Sequence, residues 1–104
     1  MGKNKDIQEL VNLMTKALRH KIGSIVNENE FYANKYAKDA ESIIKEAEKV
    51  LLRQNWNSYD KTSMKDKLRI KLQKELEQKD FLDNKKFDIM DDEINKALEK
   101  FNLK

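Results

Sequence analysis

The run Asp6-Ile7-Gln8-Glu9-Leu10-Val11-Asn12-Leu13-Met14, continued by Leu18, Ile22, Ile25 and Val26, sets the fold class of this chain. Its residues Ile7, Leu10, Val11, Met14, Leu18, Ile22, Ile25 and Val26 recur at intervals of three and four, which places them on one stripe of an α-helix. Asn4 or Lys5 is expected near its start, and Gly23 weakens its last turn or marks a bend. The polar run Asn27-Glu28-Asn29-Glu30 reads as a short connection. A second helix follows with Tyr36, Ala37, Ala40, Ile43, Ile44, Ala47, Val50 and Leu51 at helical spacing, ending near Arg53, its alanines allowing a neighbouring helix to approach closely.

Residues 54–60 break the pattern with three amides, a Ser and an Asp, types that bond locally to backbone, and are predicted to form a loop. Thr62 or Ser63 is then expected to cap a third helix, carrying Met64, Leu68, Leu72 and Leu76 at four-residue intervals to about Gln78. Residues 80–86 read as a connection, with Phe81, Leu82 and Phe87 as anchors. Asp88 is the expected N-cap of a last helix whose first turn holds Asp91, Asp92 and Glu93 and whose stripe is Met90, Ile94, Ala97, Leu98 and Phe101. The fold expected is all-α: a bundle of about four helices, the first two an antiparallel hairpin, in a single domain over residues 1–104.

Composition agrees with this reading. The 104 residues are 38% hydrophobic and 39% charged, with two Gly and no Pro, a balance suited to amphipathic helices rather than turn-rich β architecture. No apolar run reaches the roughly 18 residues of a membrane-spanning helix, and the first residues lack the apolar core of a secretory signal, so the expected location is cytoplasmic, without membrane contact. The absence of Cys removes disulfides, thiolate metal sites and a thiol nucleophile. Basic side chains outnumber acidic ones 16 to 10 through Lys74, and acidic outnumber basic 9 to 6 beyond it. This asymmetry suits either a polyanion-facing surface or a solvated set of helices.

Catalytic patterns are not found. Gly2 and Gly23 are too far apart for a phosphate loop. His20 directly follows Arg19, and adjacent helical residues diverge by about 100°, so the pair reads as a helix surface rather than a ribonuclease pair. Asp88, Asp91, Asp92 and Glu93 suit helix capping better than a cation site, because they do not share one face and no twelve-residue calcium loop surrounds them. No catalytic, cofactor or metal residue is therefore assigned.

Two features survive this search. The stretch from Lys61 to Lys74 carries six basic residues against one acid, beside a loop with Trp56 and Tyr59. Lys61, Lys65, Lys67, Arg69 and Lys71 are candidate nucleic-acid contacts, since cations reach phosphates and aromatics stack or anchor. Phe31 and Tyr32, at the start of the second helix, join Trp56 and Tyr59 as candidate partner-docking aromatics.

The segments Ala17-Leu18-Arg19-His20-Lys21-Ile22, Asn29-Glu30-Phe31-Tyr32, Ala40-Glu41-Ser42-Ile43-Ile44, and the later stretch from Ser63 to Leu72 resemble the C-terminal helical region of type I restriction enzyme R subunits. Those subunits are ATP-driven DNA-translocating and cleaving chains. The chain departs from that pattern in lacking a longer insertion between the two matched stretches, in placing Tyr59 about where larger relatives carry Trp, and in lacking the Tyr-Pro-Pro that some relatives carry after this helix. The resemblance implies a C-terminal fragment of a larger chain that docks the motor onto the methyltransferase and specificity subunits. It transfers no ATP-site or nuclease residue to this sequence, and so implies no cofactor in this chain, although the whole enzyme would be an ATP-dependent type I site-specific deoxyribonuclease. The alternative from the residues alone is a free-standing basic helical module that binds DNA or RNA.

Overall fold

The computed structural model describes residues 2–26, 29–79 and 85–103. They form four helices: α1 (Gly2–Val26), α2 (Glu30–Leu51), α3 (Ser58–Glu77) and α4 (Lys85–Lys100), with no strand among the described residues. No helix is long and apolar enough to cross a membrane among those residues. The expected anchors Phe81 and Leu82 lie outside the described residues.

The amphipathic stripe of α1 places this helix at the centre. It packs against α2, α3 and α4, while α3 and α4 also pack on each other and α2 meets α1 alone at helix-packing distance. Lys3 pairs with Asp60 at 2.7 Å near the starts of α1 and α3, and Arg19 with Glu75 at 3.4 Å near their ends, so these two helices run parallel. Lys21 reaches Glu93 at 2.9 Å, midway along α4, and Lys86 at the start of α4 donates to the Lys79 carbonyl just past the end of α3, so α4 runs the opposite way. The expected α1–α2 hairpin is present, and the order is up, down, up, down. The connection after α2 lies against the first turns of α1, where Arg53 and Gln54 contact Asp6.

The core is drawn from every helix and includes Leu10, Met14, Leu18 and Ile22 of α1, Val50 of α2, Leu68, Leu72 and Leu76 of α3, and Ile94 and Leu98 of α4. Their removal from water is the main favourable term holding the helices together. Ala47, fully buried on α2, permits its close approach to α1. Thr15 is also buried, its hydroxyl satisfied by donation to the Val11 carbonyl at 2.7 Å.

Several boundaries differ from the expectation. Helix α1 begins at Gly2 rather than near Asn4. Helix α3 begins at Ser58 and is capped by Asn57 rather than Thr62 or Ser63. The Asn57 side chain accepts from the Asp60 amide at 2.8 Å, and the Asp60 carboxylate accepts from the Asn57 amide at 3.1 Å, a reciprocal capping box. The Asn and Asp that read as loop formers therefore start the helix. Helix α4 begins at Lys85, which puts Asp88 in its first turn rather than at its cap. Phe87 is about one-third exposed, its ring centre 5.1 Å from the Lys86 ammonium, and Lys86 itself is buried, donating to the Lys79 carbonyl at 2.7 Å. At its far end α4 closes in a Schellman motif. Asn102 adopts φ 59°, and the Leu103 amide donates to Leu98 at 2.8 Å, both leucines being buried.

Candidate docking and nucleic-acid surfaces

Phe31 and Tyr32 sit in the first turn of α2, where Asn29 caps the helix. The Asn29 side chain accepts from the Phe31 amide at 3.0 Å and the Tyr32 amide at 3.4 Å. This fixes the backbone under two rings that meet edge to face, 5.5 Å between centres. Phe31 is 73% exposed and Tyr32 50% exposed, so the pair presents apolar surface to solvent instead of stapling the turn to the core.

Trp56 and Tyr59 do not join this corner. Helix α2 has 22 residues, and at 1.5 Å per residue it spans about 33 Å between the two aromatic pairs. Trp56 is half-buried against the core, its indole donating to the Leu51 carbonyl at 2.9 Å, and thus locks the α2–α3 connection. Tyr59 stands exposed in the first turn of α3, at the same end of the molecule as the exposed Leu52, a residue the helical pattern placed with no role. The connection is tied to α1 by Asp6, which accepts from Gln54 at 2.9 Å and pairs with Arg53 at 3.3 Å. Arg53 also reaches Glu9 at 3.0 Å. The Gln54 and Arg53 contacts outweigh burial and hold the Asp6 carboxyl below its ordinary value.

The five basic candidates form no single patch. Residues on α3 turn about 100° each, and the buried stripe Met64, Leu68, Leu72, Leu76 divides the cations into two flanks. Lys65 and Arg69 face α4, where Arg69 pairs with Asp91 at 3.3 Å beside Ile94 and Asn95. Lys67 and Lys71 lie on the opposite flank and are joined by Lys74, which the sequence reading left out. Lys61, half-buried in the first turn, lines neither groove. Across from Lys67, Lys71 and Lys74 the α1 row Asn4, Gln8 and Asn12 forms the second wall of an open groove of about 760 Å³. Lys71 reaches the Asn12 side-chain oxygen across it. The missed signal was the matching period: the lysines recur at four and three residues, the amides at four and four.

The acidic residues of α4 do different jobs. Asp91 pairs with Arg69, whereas Glu93 is buried between Lys21 at 2.9 Å and Lys96 at 3.1 Å. Burial pushes the Glu93 carboxyl up, and the two ammonium groups more than offset it, leaving it below its ordinary value. Among the described residues, no group of three His, Cys, Asp or Glu side chains converges as metal ligands would.

His20 packs edge-on against Tyr36, with its Nδ1 3.8 Å from Asp39 and its Nε2 3.4 Å from an Arg19 guanidinium nitrogen. Desolvation and the neighbouring Arg19 charge hold the imidazole below its ordinary value, Lys16 and Lys79 adding to them and Asp39 opposing. The folded state thus favours neutral His20. Stability is expected to be fully present above the ordinary imidazole value of about 6.5 and to fall as pH drops through it toward the lower folded value. Urea midpoints measured across that range test this; His20→Gln should flatten the segment, and an equally sloped variant profile would show that another group is responsible.

No protein-family model, no curated protein and no solved structure matches this chain.

Proposed function

We propose that this domain is a noncatalytic helical assembly module of a type I restriction enzyme R subunit, docking the DNA-translocating subunit onto the methyltransferase–specificity core. The reading is supported by the resemblance over residues 17–22, 29–32, 40–44 and 63–72. The single structural observation that carries it is the capped, outward-facing Phe31–Tyr32 corner. Aromatic side chains with few rotatable bonds are the commonest anchors of protein interfaces, and the Asn29 cap pre-orders this pair before any partner arrives.

The test is a pull-down of the purified, folded chain with a cognate methyltransferase–specificity complex, with circular dichroism confirming helicity. Retention of the chain, without ATPase or nuclease activity of its own, is the expected result. A helical chain that fails to bind any cognate core overturns the proposal.

A further inference from the structure

We infer that the groove between α1 and α3 is a nucleic-acid site that holds one phosphodiester strand between Lys67, Lys71 and Lys74 on one wall and Asn4, Gln8 and Asn12 on the other. The first observation is the alignment of the cations. At 1.5 Å per residue the three ammonium groups are spread along about 10 Å of α3, a linear track suited to consecutive phosphates of a backbone rather than to one compact anion. The second is the absence of competing charge. No carboxylate lines the groove, and among the described residues none forms an ion pair with these three lysines. By contrast, Arg69 on the opposite flank is already matched by Asp91.

The third observation concerns the other wall. Asn4, Gln8 and Asn12 recur every four residues and therefore stack along one face of α1, opposite the lysines, because α1 and α3 run parallel. Each primary amide both donates and accepts, so this wall can donate to phosphate oxygens and accept from sugar hydroxyls or base edges. Ile70, 69% exposed at the groove's edge, offers apolar contact to sugar or base. The lysines engage phosphates alone, so most of the affinity is expected to be independent of sequence, any preference coming from the amide wall, where Asn or Gln can pair with an adenine edge. The site is remote from the Phe31–Tyr32 corner and does not rest on the docking proposal.

The experiment is fluorescence anisotropy of the full chain with labelled single-stranded DNA, RNA of the same sequence, and the corresponding DNA duplex, at several salt concentrations. Binding of at least one of these should weaken with salt, with a log–log slope of about −2 for a single strand engaging three lysines. The triple change Lys67→Gln, Lys71→Gln, Lys74→Gln should lower affinity about tenfold or more and flatten the slope. The charge-matched change Lys61→Gln, Lys65→Gln, Arg69→Gln should stay within about threefold of the parent. The DNA, RNA and duplex arms identify which strand is held. Equal losses in the two triple variants, equal affinity for polyglutamate, or no binding by the parent at low salt would each overturn the inference.

Discussion

Leu72→Ala is expected to destabilise the fold by about 2–5 kcal/mol, the range for truncating a fully buried leucine in a packed core. Leu72 has no exposed surface and occupies the middle of the α3 stripe, the helix that packs on both α1 and α4. Removing its isobutyl group forfeits transfer free energy and leaves a void that helices anchored on several sides refill only in part. Domains of this size are stable by about 5–15 kcal/mol, so the change consumes a large fraction of the total. A urea titration followed by circular dichroism checks it, with Ile70→Ala as the comparison. Ile70 is two residues away but 69% exposed, and its truncation should shift stability by no more than about 0.5 kcal/mol. Similar losses in both variants would mean that the buried stripe has been misplaced.

The second large effect concerns binding. Phe31→Ala with Tyr32→Ala should weaken association with a cognate methyltransferase–specificity core by about 2 kcal/mol or more, about thirtyfold or greater, as expected for aromatic anchors. Because both rings are substantially exposed and neither belongs to the buried core, the thermal midpoint should change little. Calorimetric titration alongside a melting curve separates the two. Undiminished binding by a stably folded double variant would remove Phe31 and Tyr32 from the interface.

The helices themselves were legible because Leu10, Met14, Leu18 and Ile22, and then Leu68, Leu72 and Leu76, repeat with the helical period and are all buried. Boundaries were less legible where the same residue types serve two purposes. Asn57 and Asp60 favour local bonds to backbone in loops and at helix starts alike, and only their mutual distances show which. Glu93 read as a first-turn carboxylate, yet its burial depends on Lys21, which lies 72 positions earlier in the chain. The basic stretch from Lys61 to Lys74 looked continuous because a linear reading counts charges without turning the helix. Its division into two flanks, and the pairing of one flank with Asn4, Gln8 and Asn12, requires knowing that α1 and α3 lie side by side. The four aromatics were grouped by type, whereas the length of α2 separates them into two ends.

The solitary attachment of α2 to α1 has a mechanical corollary. Helices α1, α3 and α4 touch one another in a closed triangle, so releasing α3 or α4 disrupts two packed interfaces and releasing α1 disrupts three. Releasing α2 disrupts one, but that one is the most extensive seam in the fold and carries Ala47 and Val50 of the shared core, so α2 is held by the breadth of a single contact where α3 and α4 are each held by two narrower ones. The Phe31–Tyr32 corner rides on α2, while the lysine-and-amide groove belongs to the triangle. The two surfaces are therefore braced differently: the position of the corner is set by one broad helix-to-helix seam, and that of the groove by helices that each touch at least two others.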